Sequence, residues 1–295
     1  MSAPRRIVID CDPGIDDAAA ILLALADPSI EIAAITCVDG NSAVDTTVAN
    51  ARRILDLANR PDIPVYRGAD RPLLQSAPER GDYYGRDGLG DIGLPEPSRG
   101  PDGGRAAEVM IDTVMAQPPD SVTLVAIGPL TNVALAMRLE PRFAGRLAGI
   151  VVMGGDVAPG AAAEFNVGTD AAAAAIVFSS EARITLTPYT ITKPLHASTQ
   201  ALESLAVSTS LPAKAVAAMQ QTRDPAGSAL HDAYAIATLL KPALFHFDTG
   251  TVSVDWRGDG VTTFTPGAGG SHRVVSGVDS IGFDRFLVAS LIGLD

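Results

Sequence analysis

At 295 residues, 47% of them hydrophobic, the chain can bury a substantial core, and one domain over residues 1–295 is the default expectation. Its 22 Lys and Arg against 34 Asp and Glu leave a net charge of −12, which argues against a nucleic-acid backbone or an anionic membrane as partner. The longest apolar run, Ala18–Ala26, is nine residues, short of the roughly 20 of a membrane span, and Ile7–Ile9 is too brief for the centre of a signal peptide, so a cytoplasmic address is expected.

Arg6–Cys11 reads as a first strand, Asp17–Ala26 as an Ala/Leu helix, Ile30–Val38 as a second strand and Ala43–Ala58 as a second helix. The alternation continues through Ile63–Tyr66, Ala106–Ala116, Val122–Ile127, Leu130–Leu139, Gly149–Met153, Ala171–Phe178 and Ile184–Leu186. Because the strand segments are uniformly apolar, the expected fold is α/β, a mainly parallel, Rossmann-like open central sheet covered by helices on both faces. After Gln200 come helices around Ser204, at Ala213–Gln221 and at His231–Leu240, β-rich segments at Thr249–Trp256, Val261–Thr265 and His272–Val275, and a helix from Ser280. These read as additions to the same sheet. Arg67–Gly104, rich in Gly, Pro and charge, far exceeds the usual connection of roughly 4–6 residues and reads as a functional loop. Cys11 and Cys37 lie in apolar strand segments and read as buried free thiols.

The strongest chemical signal is Asp10-Cys-Asp12-Pro-Gly-Ile-Asp16-Asp17, four carboxylates in eight residues at the carboxyl end of the first strand, where open α/β sheets place their ligands. Helix capping accounts for one or two of these acids, not four. Mutually repelling carboxylates call for a hard divalent cation such as Ca²⁺ or Mg²⁺. An EF-hand loop starting at Asp10 fails, because its sixth and twelfth positions hold Ile15 and Ile21. A Mg²⁺-dependent phosphatase of the haloacid dehalogenase type shares the strand and the Asp-x-Asp pair but lacks the usual hydroxyl residue here, and stands as an alternative. Further candidates are Asn41, the carbonyl of Ile127 in Ile-Gly-Pro-Leu-Thr-Asn132, Met153-Gly-Gly155 with Glu164-Phe-Asn166, and His231-Asp232 opening a helix. His196, His246 and His272 read as structural or surface residues.

Together these motifs, in matching order from residue 7 to about 240, resemble the inosine–uridine-preferring nucleoside hydrolases. The resemblance implies a Ca²⁺-dependent N-ribohydrolase that assembles as a homodimer or homotetramer and acts on a small-molecule nucleoside. It assigns Asp12, Asp17, Asp232 and the Ile127 carbonyl to Ca²⁺, Asp12 also as general base. Asp16, Asn41, Glu164 and Asn166 would hold the ribose hydroxyls, Met153 would line the sugar pocket, and His231 would sit by the leaving base. Asp10 would orient the ligand carboxylates from behind. The sequence departs from the family pattern twice. The segment 156–163 is short and lacks the Asn that binds the ribose 5′-hydroxyl, and in Tyr83-Tyr84-Gly85, Tyr84 stands where many relatives place a base-proximal His. In the wall before His231, Gln221 and Arg223 are the polar candidates and no aromatic is present. A family relative that binds ribosyl compounds without hydrolysing them, or with altered specificity, is the second reading.

Overall fold

The structure is a computed structural model that describes residues 3–74, 76, 84–222 and 230–294. Among the described residues, nine strands form one sheet in the order β3-β2-β1-β4-β5-β6-β9-β7-β8. The parallel body comprises β1 (Arg5–Cys11), β2 (Ile30–Cys37), β3 (Val65–Arg67), β4 (Val122–Ala126), β5 (Gly149–Met153) and β6 (Ile184–Thr187). The later segments join that sheet: β9 (His272–Val278) pairs parallel with β6, and β7 (Phe245–Val254) runs antiparallel between β9 and β8 (Thr262–Pro266).

Alternate residues of each parallel strand feed two cores, which is why the strands are apolar throughout. Ile7, Ile9 and Cys11 of β1 and Val151 and Met153 of β5 face one core. It is closed by α1 (Ile15–Leu25), α2 (Val44–Leu57), α10 (Leu211–Gln221), α11 (His231–Leu240) and α12 (Ser280–Ile292). Val8, Leu124, Ile150 and Val152 face the other, under α3 (Ala106–Met115), α4 (Thr131–Leu139), α5 (Phe143–Arg146) and α7 (Ala171–Phe178). Three further short α-helices lie among the described residues: α6 (Phe165–Thr169), α8 (Tyr189–Thr192) and α9 (Thr199–Ala206). Cys11 and Cys37 are buried and unlinked. No described helix is long and apolar enough to cross a membrane.

The stretch from Gly68 to Arg105 contains no helix or strand among the described residues, and it is pinned from inside. The buried Arg52 guanidinium of α2 donates to the Ile63 carbonyl (2.9 Å) and the Gly100 carbonyl (3.1 Å) and pairs with Asp102. Asn50, two residues earlier in α2, donates to the carbonyls of Pro13 (3.1 Å) and Asp87 (2.9 Å), so one amide ties the loop after β1 to the loop bearing Tyr84. Sequence periodicity places β7 at Thr249–Trp256, whereas the strand runs Phe245–Val254; it starts directly after a 3-10 turn at Pro242–Leu244, and its exposed His246 and Asp248 hide the alternation.

Candidate active site

The sheet order turns at β1 and β4: from β1 the chain goes outward to β2 and β3, and from β4 it goes the other way to β5 and β6. Loops leaving the carboxyl ends of these two strands diverge and open a crevice. The acidic motif and the Ile127-Gly-Pro turn are those loops. Asp12 lies just past β1, and Gly14 caps α1, so Asp16 and Asp17 fall in its first turn.

Asp17 accepts from the backbone N–H of Asp12 (3.2 Å) and of Gly14 (2.9 Å) and thus caps its own helix. Capping and clustering coexist, because one oxygen each from Asp16, Asp17 and Asp232 lies within 4.8 Å of the other two. Asp12 stands beside this trio. Its Oδ2 accepts the Asn41 backbone N–H at 2.6 Å, while the Asn41 side-chain amide donates to the Asp12 carbonyl (3.2 Å) and reaches Asp17 Oδ2 (3.4 Å). Two glycines clear the space around it: a Cβ at Gly40 would lie 2.1 Å from Asp12 Oδ2, and one at Gly128 would lie 2.5 Å from Oδ1. Behind them, Asp10 Oδ1 accepts from Thr36 Oγ1 (2.7 Å) and from Asn132 Nδ2 (2.9 Å). Asn132 also donates to the Cys37 carbonyl (3.1 Å) and accepts from Ala69 N–H (2.8 Å), which fastens α4 to β2 beneath the acids.

Burial dominates the electrostatics. It pushes Asp10 and Asp17 up to about 7, with the Asp16 charge adding to the effect on Asp17. Burial also raises Asp12 and Asp232 well above the usual carboxylate range, with repulsion from the neighbouring aspartates in support. Asp10 Oδ2, Asp12 Oδ1 and Asp16 Oδ1 are buried with no hydrogen-bond partner among the described residues. Such a group of carboxylates is ionised at neutral pH only beside compensating positive charge, and its all-oxygen donor set suits a hard divalent cation. The residues fit one.

The facing wall is made of later segments. Glu164 caps α6, its Oε2 accepting from Gly155 N–H (2.8 Å) and Val167 N–H (3.1 Å), and burial raises its pKa. The left-handed φ of 71° at Gly155 is what turns that N–H toward Glu164. Asn166 Nδ2 donates to the carbonyls of Ile127 (3.2 Å) and Met153 (3.3 Å) and lies 3.6 Å from the Met153 sulfur. His231 opens α11, and its Nδ1 lies 2.8 Å from Thr192 Oγ1. The cavity between the walls has a volume of about 410 Å³ and is lined by Asp16, Asn41, Tyr84, Ile127, Met153, Glu164, Asn166, His231 and Asp232 from the sequence reading. Asp12, Asp17 and Asp10 lie beneath it, fully buried.

Phe165 and Tyr189 also line the cavity, and the sequence reading missed both. Tyr189 follows Pro188 two residues beyond the carboxyl end of β6, a position that itself marks ligand-facing residues in open sheets. Gln221 is exposed and does not line the cavity, and Tyr83 and Arg223 lie outside the described residues. Of the remaining histidines, His272 is buried and accepts from Val252 N–H (2.8 Å), His246 is exposed and His196 is half-buried.

Residues 7–285 match the family model described as "Inosine-uridine preferring nucleoside hydrolase". The pyrimidine-specific ribonucleoside hydrolase RihA of Salmonella gallinarum is 38% identical over 306 residues, covering 97% of each chain. The inosine-uridine preferring nucleoside hydrolase of Crithidia fasciculata is 35% identical over 267 residues, covering 86% of this chain and 85% of that one. The solved plant nucleoside hydrolase PpNRh1 superposes with a TM-score of 0.91 at 32% identity, over 98% of this chain and 99% of that one. These matches leave the dehalogenase-type phosphatase without support. Fold, crevice and motif order therefore agree with the matches, and the chain belongs to the inosine-uridine preferring nucleoside hydrolase family, an enzyme family of nucleoside hydrolases.

Proposed function

We propose that the protein hydrolyses the N-glycosidic bond of ribonucleosides to free base and ribose, with Ca²⁺ as its cation. The observation that carries this reading is the convergence of buried carboxylates at the switch point, facing Glu164, Asn166 and a histidine across one cavity. Asp12, Asp17, Asp232 and the Ile127 carbonyl would hold Ca²⁺, with Asp16 near enough to share the load. When bound, the cation keeps these carboxylates ionised and polarises the water and sugar hydroxyls beside it.

The remaining chemistry falls to the chain's own residues. Asp12 takes the proton of the attacking water as its oxygen bonds to the anomeric carbon. Asp16, Asn41, Glu164 and Asn166 grip the ribose hydroxyls, and the negative field of the floor favours the positive charge that grows on the sugar ring. Met153 packs on the sugar and Tyr84 on the base side. His231 delivers a proton to the base nitrogen as the C1′–N bond breaks and its electron pair leaves with the base. Asp10, held by Thr36 and Asn132, orients the loop that carries Asp12. Assembly as a homodimer or homotetramer belongs to the same reading and is checked by light scattering.

The test is chromatographic detection of free base after incubation with inosine, adenosine, guanosine, uridine and cytidine, each with Ca²⁺ and with a chelator. Release that stops on chelation supports the proposal. No release from any nucleoside, with Ca²⁺ still raising the melting temperature, overturns hydrolysis and leaves a binding protein.

One observation favours altered specificity at the 5′ end. Of the segment 156–163 only Ala163 lines the cavity, and the one carboxylate, Asp156, is turned to Thr190 Oγ1 and Ala158 N–H. No polar side chain of this segment lines the cavity to meet a 5′-hydroxyl. A 5′-deoxynucleoside is therefore expected to be cleaved within about threefold of its parent, since a hydroxyl that meets no built partner contributes little to binding. A loss beyond tenfold would count against it.

A further inference from the structure

His231 is the first residue of α11, preceded by Leu230 as its N-cap, so no earlier helical turn supports its ring. The ring's orientation has to come from what packs against it. Two contacts that orient it come from α8, a single turn that the strand-helix pattern of the sequence does not reveal. The Tyr189 ring lies 5.2 Å from the imidazole, centroid to centroid, at 51°. The Thr192 hydroxyl lies 2.8 Å from His231 Nδ1.

We propose that Thr192 is the positioning residue for His231, holding Nδ1 so that the proton transfer at the departing base falls to the other ring nitrogen in one fixed orientation. The inference rests on the reading of His231 as the group that meets the leaving base. Thr192 is fully buried, and its branched Cβ restricts the hydroxyl to few directions. Its Oγ1 lies 3.5 Å from the Tyr189 carbonyl, so the hydroxyl proton has an acceptor there while a lone pair faces Nδ1.

The support of α8 is as specific as the contact. Tyr189 N–H donates to the Gly155 carbonyl at 2.8 Å, and the N–H groups of Ile191 and Thr192 close on the Pro188 carbonyl at 3.0 and 3.3 Å. Thr190 Oγ1 accepts from Val157 N–H (2.9 Å) and Ala158 N–H (3.1 Å) and bonds Asp156. The turn is thus stapled to the loop after β5, and Thr192 inherits that rigidity. A four-residue helix could not keep its shape otherwise.

The experiment compares two leaving groups. Nucleoside hydrolysis needs a proton delivered to the base, whereas 4-nitrophenyl β-D-ribofuranoside departs as a stabilised phenolate and needs none. Thr192→Val keeps the shape of the side chain and removes the hydroxyl. It should lower kcat on the best nucleoside on the order of 10- to 100-fold, with KM and aryl riboside turnover within about threefold, and Thr192→Ser should recover most of the loss. Equal slowing of both substrates means a structural role and overturns the proposal, as does no slowing of either. If Thr192→Val does not fold, Thr192→Ala with the Ser variant reads the same difference. His231→Ala separates the two levels. Selective loss in His231→Ala without selective loss in Thr192→Val overturns the positioning role alone; no selective loss in His231→Ala overturns the assignment of His231 and the positioning role with it.

Discussion

The two walls of the cavity are held by different physics. The acidic wall is built from backbone: the N–H groups of Asp12 and Gly14 point at Asp17, that of Asn41 points at Asp12, and two glycines give the Asp12 carboxylate its room. The facing wall is built from side chains on three short or late helices, where Glu164 caps α6, Asn166 bridges two strand-end carbonyls and Thr192 holds His231. Backbone donors cannot be mutated away, so the acidic wall tolerates no change of volume, while the other wall can be altered one side chain at a time. Substitutions on the acidic wall should therefore be severe and should perturb cation binding. Those on the facing wall should divide cleanly between substrates.

The largest effect expected is that of Asp12→Asn, which keeps volume but removes the proposed base and one proposed ligand charge. Turnover should fall on the order of 10³-fold or more, measured as base release under saturating Ca²⁺. Near-normal kcat would remove Asp12 from the mechanism. Gly40→Ala comes next. Its φ is unremarkable for any residue, but its Cβ would overlap Asp12 Oδ2, whose position is fixed by the Asn41 N–H. Displacing that carboxylate should lower kcat on the order of 10- to 100-fold, as misplacement of about 1 Å does, and should reduce the thermal shift produced by Ca²⁺. A fully active Gly40→Ala would mean that the acidic wall is not rigid.

On the facing wall, Glu164→Gln keeps an oxygen for the Gly155 and Val167 N–H groups and loses only charge. The melting temperature should hold while kcat/KM falls by roughly tenfold, the order expected for one charged hydrogen bond to substrate. Glu164→Ala adds loss of the helix cap, of about 1 kcal/mol, and should lower the melting temperature as well. Equal melting temperatures for the two variants would show that the cap is idle.

The same division decided what could be read from sequence. The acidic wall is nearly contiguous: four of its acids fall between Asp10 and Asp17, at the end of a strand whose apolar pattern is unambiguous. The parallel sheet was equally legible, because strands buried on both faces leave uninterrupted apolar runs. α6 and α8 were not, since helices of five and four residues carry less than two turns of periodicity. Tyr189 and Thr192 went unread with α8. His231-Asp232 stood out as a pair opening a helix, but only the resemblance in order tied it to the acidic motif, because the fold and not the sequence brings residue 232 to residue 16.

The smallest effect expected is on stability, and it tests whether the acidic wall is strained without its cation. Asp10 and Asp17 move from 3.8 in the ordinary state to about 7 in the folded one, with burial as the main cause. Between those values the folded chain binds more protons than the unfolded chain, so stability falls as pH rises from about 4 to about 7. Carboxylates lowered by surface arginines work in the opposite direction; Glu140, held at about 2 by Arg142, loses its contribution only at far lower pH, outside this window. The chelated protein should therefore melt at least about 2 °C higher at pH 5.5 than at pH 7. Saturating Ca²⁺ favours the ionised carboxylates and should invert that order, because protons then compete with the cation. A chelated protein whose melting temperature did not change between the two pH values would show that the buried acids carry no penalty for the cation to relieve.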